Sequence, residues 1–514
     1  MDPPTAGCLL DGQERSVQLV SDRFGHHPVY YALSRGLLVF STKLAPILSS
    51  GLLEWSLCPE AVLDFFSFEH VTGDRTFARE VRLLAPASVL RFERGEGTVR
   101  SYLGDPAPAP VETRSARDVA RILAEELTAS VTECSQGASS IALPLSGGLD
   151  SRAILGAAVR TTRPVRTYTF GPPDCADVVI ARELSRRASL PHVHRTIDGR
   201  YLLESLDHGV YVSGGMMSCV HYHILRLARD LAADGGVVLD GLGGDALTGG
   251  HLEWRMLLAR DPRAAVRATH RMRATACAAR ADLEALLDPV FLEQASAYDP
   301  VQAIRAHFEP RGPGRPWEGA HRFDLLERQR RFIQMGAHLL RPFADVRAPF
   351  YGRGVWSLLR TLPARYLAEQ RVYLRMHREH FPALAAVPDA RRGLPLSRSA
   401  PSRFAKRALD FARRRVPLLP PGTPWDGASQ PTSYRQWWRN ELRDLLHDTL
   451  LSSRPRYEAV IRRDTVADLV RAHDAGGADH TAVLGCLVTF ETFLRSVEQA
   501  SASVPLPGTA REAR

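Results

Sequence analysis

The sequence predicts an α/β protein in which a parallel sheet carries helices on both faces, preceded by a shorter β-rich unit. Three observations carry this. Residues 141–155 (IALPLSGGLDSRAIL) join an apolar run, a glycine turn and a helical run, the step from which parallel sheets are wound. Apolar and helical segments then alternate through 165–171, 177–190, 192–197 and 236–240. Residues 1–105, by contrast, read as short strands and turns: β-branched or aromatic runs broken by Gly, Pro and Ser.

With 514 residues the chain is too long for one ordinary domain. The expected division is a β-rich unit over 1–105, a Pro- and Ala-rich linker over 106–115, a larger α/β unit over 116–500 and a disordered tail over 501–514. Hydrophobic residues at 45% and charged residues at 24% describe a globular protein with ample core material. No apolar stretch is long enough to span a bilayer. The start, MDPPTAG, lacks the basic and apolar regions of a secretory signal, so the expected location is cytoplasmic. Seven cysteines lie far apart with no C-x-x-C pair, which argues against zinc and against a disulfide framework. Net charge is +9, but Lys43 and Lys406 are the only lysines. An arginine bias in an Ala-, Gly- and Pro-rich chain points to coding composition rather than to a nucleic-acid partner.

Taken in order, 16–22, 28–34 and 36–42 are strand candidates, as are 81–92. Ser115 opens an amphipathic helix over 115–133 that leads to the central loop. In that loop Gly147 and Gly148 allow backbone to approach an anion, and Ser146 and Ser151 add hydroxyl donors around Leu149. Asp150 is a carboxylate that repels phosphate unless a divalent cation lies between them. The spacing and the absence of lysine exclude a Walker A loop. A plain Gly-Gly turn between core strand and core helix is the alternative reading.

A second glycine-crowded loop follows the strand at 236–240 and holds Asp240, Gly241 and Asp245. Ligands of parallel sheets bind at the carboxyl ends of the strands, so both loops belong to one site. Asp245 would then share a magnesium ion with Asp150; the alternative is a helix cap. In HRFDLLERQRRFIQMGAHLLRPF, the positions Phe323, Leu326, Phe332, Met335 and Leu339 fall at helical spacing and read as core. A basic run at 403–415 precedes a Pro-rich loop, as a lid, an acidic-partner surface or simply a solvated face. Helices at 435–450 and 479–497 read as packing elements.

SGGLDS resembles the pyrophosphate loop of ATP pyrophosphatases of the PP-loop, adenine nucleotide alpha-hydrolase-like fold. With DRFG, PVYY, GLLVFST, TGDRTF and LLAPASVL ahead of it, the chain resembles class B asparagine synthetases. The resemblance implies ATP and Mg2+ as cofactors, with Phe170, Gly171 and Gly241 beside the nucleotide. It also implies a basic group at Arg392 that stabilises charge during adenylation and, with Asp245, makes up the candidate catalytic groups.

Departures from the family pattern are informative. Asp2, not cysteine, follows Met1, so 1–105 is expected to be a truncated remnant of an N-terminal-nucleophile glutaminase domain, or the start is internal to a longer product. Leu242 stands where the family usually has glutamate, and Gly352 where aspartate is common.

The implied function is amide formation from a small-molecule or peptide carboxylate and an amine or ammonia. A separate ammonia source or a precursor peptide would be the partner. Lasso-peptide macrolactam synthetases and β-lactam synthetases offer an intramolecular alternative. A sulfur-inserting pyrophosphatase lacks its paired cysteines here, and a non-catalytic homologue is the remaining class.

Overall fold

The computed structural model describes residues 5–103, 111–252, 256, 258–308, 316–391, 393–397 and 429–503. Arg392, the basic run at 403–415 and most of the expected tail and linker lie outside them. Val111 to Ser115 are tied down: the Glu112 N–H donates to the Thr361 carbonyl at 2.8 Å, and the Tyr366 hydroxyl to the Arg114 carbonyl at 2.7 Å.

The β-rich unit comprises β1 (Gly7–Asp11), β2 (Ser16–Val20), β3 (Tyr30–Ser34), β4 (Leu37–Ser41), β5 (Arg82–Leu83), β6 (Ser88–Glu93) and β7 (Glu96–Ser101). They form two antiparallel sheets, ordered β1-β2-β6-β7 and β4-β3-β5. The expectation of strands and turns alone is corrected by two helices, α1 (Leu44–Leu48) and α2 (Pro59–Phe68). Proline at the first turn starts α2, and nine of its ten residues are buried. A helix buried all round shows no amphipathic period, and its Val and Phe content mimics a strand.

The third sheet is parallel throughout, with strand order β10-β9-β8-β11-β12. Its strands are β8 (Ile141–Pro144), β9 (Val165–Phe170), β10 (His192–Arg195), β11 (Val237–Leu239) and β12 (Val346–Arg347). Helix α3 (Ala116–Cys134) precedes β8, with the Ser115 hydroxyl accepting the Asp118 N–H at its start. Helices α4 (Asp150–Ala158) and α5 (Ala176–Arg187) follow β8 and β9. Winding runs one way from β8 through β10, then crosses to β11 on the other side of β8. The switch point therefore falls between β8 and β11, where crossover helices leave a crevice at the strand ends.

Arginines and acids of the Asp324–Ile333 π-helical turn bind the two units together. Arg331 donates to the carbonyls of Val71 (2.9 Å) and Arg75 (2.8 Å), Arg330 to that of Leu84 (2.9 Å). Glu327 accepts the Gly73 N–H at 2.6 Å. The wider π winding shifts the side-chain register. Phe323, Met335 and Leu339 are buried as expected, but Leu326 is 40% exposed and Phe332 only partly buried. No helix among the described residues is long and apolar enough to cross a membrane.

Candidate active site

A cavity of about 450 Å³ opens at the switch point. The loop after β8 supplies Ser146, Gly148, Leu149, Asp150 and Ser151; the loop after β11 supplies Asp240, Gly241, Leu242, Gly243 and Asp245. Phe170 lines a third side, half-buried and tilted against His223 with ring centroids 5.5 Å apart. These sequence-predicted residues therefore meet in one place. Gly147 and Gly171 do not line the cavity. Gly171 faces away beneath the chain: an added Cβ would lie 2.8 Å from the Cys175 Sγ.

The first loop is internally braced. Ser151 Oγ accepts the Ser146 N–H at 3.2 Å, and Ser146 Oγ accepts the Gly148 N–H at 3.3 Å. Gly147 N–H donates to Asp177 Oδ1 at 2.7 Å, and its carbonyl accepts the Ala390 N–H at 3.1 Å. Arg152, fully buried, donates to the carbonyls of Val387 (2.8 Å) and Pro388 (2.6 Å), which holds that incoming segment under the loop.

Asp150 is the centre of the electrostatics. Its Oδ2 accepts the Asp245 N–H at 2.8 Å and its Oδ1 the Tyr373 hydroxyl at 2.9 Å. The second loop can come this close because residue 244 is glycine; a Cβ there would sit 2.4 Å from the Asp150 Cγ. Burial first, and then the neighbouring Asp245 and Asp240 carboxylates, push Asp150 up to about 8. Burial alone carries Asp240 up to about 6, against the Leu242 N–H that opposes it. Asp245 Oδ1 accepts from the Gln370 carboxamide at 3.2 Å. Gln370 and Glu369 both have φ in the left-handed region, at 57° and 55°, a local strain of the kind that gathers at functional sites.

Crowded carboxylates, half-buried at Asp150 and Asp240 and exposed at Asp245, suit a hard divalent cation reached from the cavity. Among the described residues no group of three or more His, Cys, Asp or Glu side chains closes a metal cage. Magnesium does not need one, since it commonly takes one or two carboxylates and completes its shell with phosphate oxygens and water. The residues present therefore fit the ion.

Sequence reasoning missed Tyr373, Gln370, Arg328 and Gln329, which surround Asp150 and Asp245 or line the cavity. None sits in a glycine loop. Only the high polarity of 327–331 (ERQRR), inside an otherwise apolar helical pattern, signalled that a polar cavity lay on that face. In the β-rich unit, Cys8 is exposed on the edge strand β1. Cys58 is buried, and burial pushes its thiol up to about 11, the reverse of an activated nucleophile.

A family model described as asparagine synthase matches residues 123–390, and one described as a glutamine amidotransferase domain matches residues 6–103. No curated protein matches the chain.

Proposed function

Because the chain belongs to the asparagine synthase family, an ATP-dependent, amide-forming ligase group, we propose that it activates a carboxylate as an acyl-adenylate and passes the acyl group to an amine. The substrate carboxylate oxygen attacks the α-phosphorus of ATP, pyrophosphate leaves, and the amine nitrogen then displaces AMP. The observation that supports this reading is the meeting of the SGGLDS loop and the Asp240–Asp245 loop at one switch-point cavity.

In this reading, the Ser146 and Ser151 hydroxyls and the Leu149 N–H, at the amino end of α4, take the departing pyrophosphate, and Gly148 leaves room for its approach. Phe170 lies against the base, and Gly241 keeps the second loop slim beside the nucleotide. Asp150 and Asp245 would hold magnesium, which offsets phosphate charge when bound. Tyr373 orients Asp150 from behind, and Gln370 orients Asp245. Arg392 remains the proposed cation for charge developing on the phosphates. Leu242, in place of the family's usual glutamate, leaves the amine side of the cavity without that carboxylate. This favours an amine that arrives neutral or is held within the substrate, as in the lasso-peptide and β-lactam synthetases.

ATP–pyrophosphate exchange with the purified protein tests the proposal. Aspartate, N-acylated amino acids and candidate precursor peptides are supplied in turn, with magnesium. Label returning to ATP with one acid identifies the activated carboxylate. If no acid supports exchange and no nucleotide binds, the adenylation reading fails.

A further inference from the structure

Asp177 has no place in the chemistry above, yet its carboxylate lines the nucleotide cavity. An anion there opposes the entry of phosphate, so its position needs another reason. The hydrogen bond it makes supplies one. Gly147, the central residue of the phosphate loop, is gripped on every side. Its N–H is held by Asp177 Oδ1 at 2.7 Å, and its carbonyl by the Ala390 N–H at 3.1 Å and Arg152 Nη2 at 3.4 Å. An added Cβ would lie 2.7 Å from the Ala390 Cβ and 3.0 Å from both Asp177 Oδ1 and the Ile180 Cδ1. This peptide is therefore turned into the protein while its neighbours Ser146 and Gly148 face the cavity.

We propose that Asp177 is a positioning residue of the phosphate loop, fixing the Gly147 peptide so that the remaining donors stand ready for pyrophosphate. The inference rests on the ATP reading and adds a residue to it. A Gly-Gly turn left to itself samples many backbone conformations. Anchoring one of its peptides to the first turn of α5 removes that freedom before the ligand arrives, which is the source of affinity in a preorganised site. The carbonyl of the same residue ties down Ala390, so the loop and the segment entering Arg391 share one anchor.

The test uses the full chain and calorimetric titration with α,β-methylene-ATP and magnesium, comparing wild type, Asp177→Asn and Asp177→Ala, with thermal unfolding of each. Asparagine keeps an acceptor oxygen for the Gly147 N–H but carries no charge. Asp177→Asn is expected within about 3-fold of wild type. Asp177→Ala is expected weaker by on the order of 10-fold, the loss typical of one net hydrogen bond. Alanine binding like wild type would overturn the proposal. So would asparagine binding as weakly as alanine, or more tightly than wild type, which would make the carboxylate an electrostatic gate instead. Should Asp177→Ala not fold, Asp177→Ser carries the same expectations. Wild-type protein that binds no nucleotide would overturn the ATP reading and this inference together, whereas wild-type binding with an indifferent alanine variant removes this inference alone.

Discussion

Asp150 shows how one carboxylate can be legible in a motif and yet not explained by it. SGGLDS announces the residue, but its environment comes from Gly244, Asp245 and Tyr373, 94 to 223 positions along the chain. Its two oxygens are already engaged by an N–H and a hydroxyl, so Asp150→Asn retains the shape and loses the charge. That variant should bind nucleotide poorly in magnesium and lose exchange activity by on the order of 100-fold or more, as removal of a metal-holding group does. Gly244→Ala makes the complementary test from the opposite loop. Its Cβ would collide with Asp150 at 2.4 Å, so exchange should fall with Asp150 intact and stability should drop by about 1–3 kcal/mol. Both are checked by exchange assay alongside thermal unfolding. Tyr373 and Gln370 were not legible, because each lies on a helical stretch whose apolar spacing describes packing and says nothing of what the polar face meets.

At the scale of elements, β8 to β11 and helices α4 and α5 were readable, because each keeps its own period between clear turn residues, whereas the two-residue edge strand β12 and the helices over 200–234 were not read. The Asp324–Ile333 turn was not. Its π winding moves Leu326 outward and brings Arg330 and Arg331 inward, where they cap carbonyls of the β-rich unit. A buried arginine bonded mainly to backbone carbonyls reads in sequence like any solvated one. Arg331→Met keeps the bulk but orphans the Val71 and Arg75 carbonyls, and should cost about 2–4 kcal/mol in urea unfolding.

The turn at Asp22 gives a pH test of the same unit. Burial opposes ionisation there, but the His26 imidazole and the N–H groups of Phe24 and His26 outweigh it and hold Asp22 down at about 2. A depressed acid stabilises the fold above its unfolded pKa and ceases to do so as pH falls through the folded value. Asp22→Asn should therefore be less stable than wild type by on the order of 2 kcal/mol at neutral pH. The gap should close between pH 4 and pH 2, as followed by unfolding at each pH. A gap that persists at pH 2 would locate the effect in packing instead.

On the scale of the whole molecule, the question is whether the β-rich unit is an appendage or part of the fold. Sequence alone suggested a remnant resting on a separate domain. The packing points to a shared core: Phe77 of the unit meets Phe490 and Phe493 of the C-terminal helix at ring distances of 5.3 and 5.2 Å, and Phe66 meets Phe490 at 5.8 Å. Phe66, Phe77 and Phe490 are fully buried. No local pattern could reveal a contact that spans some four hundred residues. If the core is common, Phe77→Ala and Phe490→Ala should each destabilise the one cooperative transition by about 3–5 kcal/mol. The double variant should fall short of the sum by about 1 kcal/mol, the coupling expected of an edge-to-face aromatic pair. A chain beginning at residue 111 should expose the same helix face and aggregate. Additive single effects, or two resolved unfolding steps of which Phe77→Ala moves only one, would show instead that the unit folds independently of the site it leans on.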